Sequence, residues 1–264
     1  MILKSYFDGG NQADSTQYDF VTLASVSGIA EQLWPFDSDW KDMLRRHRAP
    51  WVHTTDLVSL VRDPFREKNG WTEVHSAALL MDSVRVIKSH IARPLTDPSP
   101  RVGLLPFTVT VALKEYIKAR ANNPEVPKNA TEICATQNLA GCLEWGRDIM
   151  GAHFYHLFFD RNEPFRGHVC DRQRNAKAVK QLPLLERIRR NDEVDMRTVP
   201  ALQMADLFAW CVSHKGTVRW KWHEAVLELP RMDEWLEYAN LLKPIPGVPQ
   251  LVNSWRLPKR KPSR

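Results

Sequence analysis

Asp8, Asp160 and Asp206 stand where carboxylates are out of place. Asp206 lies inside "ALQMADLFAW" (201–210), where nearly every other side chain is apolar; Asp8 closes "ILKSYFD" and Asp160 closes "HFYHLFFD". An ionised carboxylate in apolar surroundings is costly unless it is paired, neutralised or bound to a cation. Three of them side by side repel one another unless a cation lies between. Hard oxygen donors with no Cys or His at useful spacing point to Mg²⁺ or Mn²⁺. Two such ions about 3.5–4 Å apart are a common device for phosphodiester cleavage. Taken singly, each acid has a plainer reading. Asp8 before Gly9–Gly10 and Asp160 before Arg161 suit turns, and Asp206 suits a core ion pair with an arginine or a helix N-terminus. Together they favour the metal, because each sits at the end or in the interior of an apolar element.

Four islands, "YFDGG", "VHTTDL", the strand ending at Asp160 and above all "ALQMADLFAW", resemble the microbial and phage family called domain of unknown function 3800. Its members open with a strand ending Asp-Glu-Ser-Gly, carry a His in an "H-x-x-D/E-L" stretch and close with "LQ-x-AD-L". The resemblance runs in short islands over residues 3–215, and "LQMAD" is its most specific part. It implies a ribonuclease H-like fold and metal-dependent nuclease chemistry, with Asp8, Asp160 and Asp206 as the metal ligands. One position departs from the pattern: Gly9 stands where the family has Glu. Glu163, just past Asp160, is placed to supply a fourth oxygen, and Glu115 is a more remote candidate.

Other residues join this set with two readings each. His53 in "WVHTTDL" is a substrate contact or proton donor, or else a structural histidine at a strand end; Asp56 reads as a helix cap. Gln203, one turn before Asp206, orients that carboxylate or makes a plain interhelical hydrogen bond. His153 and His156 point to opposite faces of a strand and cannot grip one ion. Between Arg161 and Arg190 nine Lys/Arg face three acids. Arg161, Arg166, Arg172, Arg174, Lys177 and Lys180 are therefore candidates for a strip that holds a nucleic-acid backbone, or else a solvated helix face. "VRWKWHE" (218–224) interleaves cations and tryptophans as single-strand binders do, or places tryptophans in a core.

The elements that must position these residues read as a mixed α/β sheet flanked by helices, one domain over 1–255 and a basic tail over 256–264. Residues 2–8 and 18–28 read as an antiparallel pair. A helix is expected from Asp37 ("DSDWKDMLRRH"), a third strand over 50–57 and an amphipathic helix over 72–91. Past a proline-rich connection (94–106) come a strand at 107–113, a helical "KEYIKARA" and a helix over 131–150. Residues 153–160 read as a strand, 171–190 as a basic helix, "VDMRTV" as a short extended piece and 201–214 as a buried helix.

The chain has 264 residues, 43% hydrophobic and 26% charged, with a formal charge of +6 and a pI of about 9.2. That balance favours an anionic partner, nucleic acid first. Four cysteines without a C-x-x-C pair fit a reducing cytoplasm. No secretory leader and no span of roughly 18 apolar residues is evident, so no membrane partner is expected. The expected function is divalent-metal-dependent cleavage of RNA or DNA. Its rivals are a binding module on the same fold without chemistry, and a transposase- or integrase-like strand-transfer enzyme. An actin-like ATPase or kinase is disfavoured, since eleven glycines include no second G-x-G cluster.

Overall fold

The computed structural model describes residues 1–10, 19–93, 102–124, 126–161, 163–179 and 184–236, without the side chains of 172 and 175–179. The basic tail, Lys180 and residues 94–101 of the proline-rich connection lie outside the described residues. A six-stranded mixed sheet forms the centre. β1 (Ile2–Gly10) and β2 (Phe20–Gly28) pair antiparallel, and β3 (Leu105–Ala112) adds antiparallel to β2. On the other side of β1, β4 (Phe154–Asp160) pairs parallel, followed by β5 (Ile188–Val194), also parallel. β6 (Met232–Leu236) completes the order β5-β4-β1-β2-β3-β6.

Strand alternation divides the core in two. On one face Leu3, Phe7, Leu23, Phe107 and Leu157 pack against α5 (Ala130–Asp148) and α6 (Pro164–Val179), with α4 (Leu113–Asn122) behind β3. Gly141 makes this approach possible: a Cβ there would stand 2.0 Å from the Phe107 ring. On the other face Ala24 and Val26 meet α1 (Ala30–His47), α3 (Glu73–His90), α7 (Pro200–Ser213) and α8 (Lys221–Leu227). Each large side chain buried this way contributes about 1.5–3 kcal/mol. α7 is apolar almost all round because it lies between the sheet and these helices, which is why the sequence there carries so few polar residues.

Four expectations are corrected. α1 begins at Ala30, not Asp37. Pro35 forgoes one helical bond within it, yet burial of Leu33, Phe36 and Trp40 holds the segment helical. Residues 50–57 are not a strand: the chain is irregular to His53 and then forms α2 (Thr54–Ser59). The basic helix begins at Pro164, a favoured first helical residue, and its expected C-terminal part, 188–190, is instead the start of β5. "VDMRTV" contains a 3₁₀ turn at Met196–Thr198, capped by Asp195. Among the described residues, no helix is long and apolar enough to cross a membrane.

Candidate active site

The connection β1–β2–β3 runs to one side of β1, while β4 and β5 lie on the other, so the strand order switches between β1 and β4. In open α/β sheets, ligands sit outside the carboxyl ends of the strands at such a switch. Asp8 and Asp160 stand there. The recorded parallel register ends at Phe7↔Phe159, one residue before the two acids. The Tyr6–Phe158 and Phe7–Phe159 rings stack across the pair at 4.9 and 4.7 Å. By alternation Asp8 and Asp160 share the face that carries α7. α7 comes close because position 10 is glycine: a Cβ there would meet the carbonyl oxygen of Ala209 at 3.0 Å.

A cleft of about 480 Å³ opens at this edge, and Asp8, Asp160, Glu163, Asp206 and His53 all line it. The sequence-derived acids are thus brought together, and Glu115, on α4, does not line it. Each carboxylate has its own anchor. Asp8 Oδ1 accepts from the N–H of Gly9 at 2.9 Å, and Asp160 Oδ1 from the N–H of Met196 at 2.9 Å. Asp206 Oδ2 accepts both the N–H and the hydroxyl of Thr54 at 2.7 Å. Its Oδ1 lies 3.9 Å from His53 Nε2. Glu163 accepts from Gly9 N at 3.2 Å and Phe165 N at 3.4 Å, and hydrogen-bonds Asp8. Position 9 faces away from Asp8 along β1, toward the layer of α6. Glu163, which leads into α6, reaches this position through the N–H of Gly9.

The electrostatics are those of crowded, buried anions. Burial, then the charges of Asp206, Glu163 and Asp160, pushes Asp8 well above the usual carboxylate range, against the pull of the Gly9 N–H. Burial raises Glu163 to about 7, with the Asp160 charge adding to it and hydrogen bonds from Phe165, Gly9 and Asp8 opposing. Asp206 is raised by burial, although His53 and Thr54 pull it down. Among the described residues no group of three or more His, Cys, Asp or Glu side chains is arranged so that it could hold a metal ion. The donor set fits a hard divalent ion in kind: all oxygen, mutually repelling and largely withdrawn from water.

Asp56 is not a helix cap. It sits in the first turn of α2, and its Oδ2 lies 2.7 Å from His53 Nδ1. A carboxylate can only accept, so the proton stays on Nδ1 and the Nε2 lone pair of the neutral ring turns toward Asp206. Burial, the largest influence on His53, favours its neutral form; the Asp56 bond and the charges of Asp206 and Asp56 outweigh it and raise its pKa. The strand reading of 50–57 hid this pair, because residues three apart face opposite sides of a strand and the same side of a helical turn.

Gln203 does not orient Asp206. Its side chain accepts from Trp40 Nε1 and Val52 N at 2.8 Å each and donates to the carbonyls of Met196 and Arg197. Three candidates of the expected basic strip are ion-paired. Arg161 pairs with Asp195 at 3.5 Å, Arg166 with Glu193 at 2.9 Å and Arg174 with Asp171 at 2.8 Å. Arg172 and Lys177 lie on α6. Sequence reasoning missed Thr54, Asp56, Trp210 and His214; the i, i+4 spacing of Asp206, Trp210 and His214 was the available signal for the last two. Comparison of the chain with protein-family models, with curated proteins and with solved structures returns no match.

Proposed function

We propose that this protein is a divalent-metal-dependent phosphodiesterase acting on nucleic acid, on a fold of ribonuclease H-like type. The observation that carries the reading is the convergence of Asp8, Asp160, Glu163 and Asp206 on one cleft at the strand-order switch, three of them with raised pKa. Burial of the Asp8, Glu163 and Asp206 carboxylates destabilises the fold unless the site is completed by a cation or by protons. Asp8, Asp160 and Asp206 would hold Mg²⁺ or Mn²⁺, with Glu163 beside them. When bound, such an ion activates water and stabilises charge on the leaving oxygen. Thr54 fixes one oxygen of Asp206, leaving the other for the cleft. Asp56 fixes the His53 ring, whose Nε2 takes or gives a proton at the reacting phosphate. The resemblance to the domain of unknown function 3800 family, strongest at "LQMAD", supports the same chemistry.

A second reading, binding without cleavage, is favoured by one observation: Asp8 and Glu163 hydrogen-bond each other, an arrangement that a shared proton satisfies without an ion. One experiment separates the two. Purified protein is incubated with end-labelled RNA and DNA oligonucleotides in EDTA, Mg²⁺ or Mn²⁺, beside Asp8→Asn and Asp206→Asn. Metal-dependent cleavage lost in both variants supports the enzyme. Binding with no cleavage under any metal, or variants that cut as fast as the parent, overturns it.

A further inference from the structure

Asp206 and Trp210 on α7 and His214 at its C-cap recur every four residues, so they form one stripe, with about 6 Å of rise per step along the helix. Trp210 and His214 line the same cleft as the carboxylates. Their rings stack at 4.0 Å with 14° between planes, and Trp210 also stacks with Trp220, at 6.1 Å and 10°. Trp222 is buried beneath, 5.5 Å from Trp220. The stack therefore starts at the cleft wall and ends on Trp220, which is 44% exposed, a large apolar ring that the core does not need. On either side of it, Arg219 and Lys221 are exposed, and neither forms an ion pair among the described residues. On the α6 side, Arg161, Arg166 and Arg174 are ion-paired with Asp195, Glu193 and Asp171.

Resting on the nuclease reading, we infer that the His214–Trp210–Trp220 stack with Arg219 and Lys221 is the substrate-holding surface, and that it takes unpaired bases of single-stranded nucleic acid. Aromatic rings receive base faces of any sequence, and cations between them meet the phosphates. In a duplex those faces are hidden by neighbouring bases, so a stacking surface selects single strands. A base seated on His214, at the cleft end of the stack, lies about two helical turns, roughly 12 Å, from Asp206, so the strand runs from it along the cleft toward the carboxylates. The strand contact thus moves from α6, where the charge count alone put it, to the corner between α7 and α8.

The test is binding in EDTA, where cleavage is silent, followed by fluorescence anisotropy of labelled dT12, rU12 and a 12-base-pair duplex. The parent is expected to bind either single strand at least tenfold more tightly than duplex. Trp220→Ala is expected to weaken single-strand binding about tenfold, and the R219A/K221A double variant to weaken it and flatten its salt dependence. Arg174→Ala stays within twofold. Equal affinity for duplex, or an unchanged Trp220→Ala, overturns the inference. So does a Trp220→Ala chain that binds normally but sediments as a smaller species, which would make the patch a contact between copies. Metal-dependent cleavage with an indifferent Trp220 defeats this inference alone. Trp220-dependent binding with no cleavage under any metal defeats the nuclease reading alone.

Discussion

The Nδ1 of His53 lies 2.7 Å from a carboxylate oxygen of Asp56, while its Nε2 looks across 3.9 Å to Asp206. The dyad is local, spanning one helical turn, and it aims a long-range contact. Asp56 is buried; its Oδ1 makes no hydrogen bond and lies 3.8 Å from Arg62 Nε. Asp56→Ala should lower kcat of metal-dependent cleavage about 10–100-fold with little change in KM. In the His53→Ala background the same change should cost almost nothing more, since the two act as one unit. Independent, multiplying losses in steady-state kinetics would show that Asp56 does not work through His53.

Thr54 holds Asp206 with two bonds to a single oxygen. Thr54→Val keeps the shape and the backbone bond but removes the hydroxyl. A hydrogen bond to a charged group contributes about 1.5–3 kcal/mol, so urea unfolding should show a loss of that order. Cleavage should fall as well, because Asp206 is then free to turn. Unchanged stability would mean that the hydroxyl bond is not made in solution.

Glu163 carries the pH prediction. Its pKa rises from an ordinary 4.5 to about 7 on folding, so between those values the folded state binds more protons than the unfolded chain and stability falls as pH rises. The penalty is complete above about pH 7 and absent below about 4.5. Asp8 and Asp206, also raised, act in the same direction. Glu163→Gln should therefore be more stable than the parent at pH 8, by at most about 3 kcal/mol, with the advantage vanishing near pH 4.5. Thermal unfolding of both proteins across that range reads this directly. Mn²⁺ should raise the parent's Tm at pH 8 and lose that effect near pH 5, where protons occupy the carboxylates.

Gln203 serves the scaffold. Its one side chain satisfies Trp40, Val52, Met196 and Arg197. Gln203→Leu is close in size but leaves those groups unpaired in a buried place. About 3 kcal/mol or more should be lost in chemical denaturation. A variant as stable as the parent would show that the 50s segment and the Met196 turn are held by something else.

Much of this molecule is written locally. Alternation in residues 2–10, 20–28 and 105–112 marks strands, because a pleated chain must show one face to each layer. The acids at two strand ends and inside α7 stand out because burial of charge is costly wherever it occurs. That reasoning reaches the residues but not their neighbours. The parallel pairing of β1 with β4 aligns Asp8 with Asp160, and it depends on chain segments about 150 residues apart. The short helix at Thr54–Ser59 turns His53 and Asp56 to one side, although its β-branched residues favour a strand; packing of Thr54 and Leu57 against the core outweighs the local preference. Arg161 and Arg166 gain ion-pair partners because β5 and the following turn place Asp195 and Glu193 next to them. Propensity and the cost of burial act over one or two turns and can be read along the chain. Partners brought together by sheet order act through space, and only the folded structure decides them.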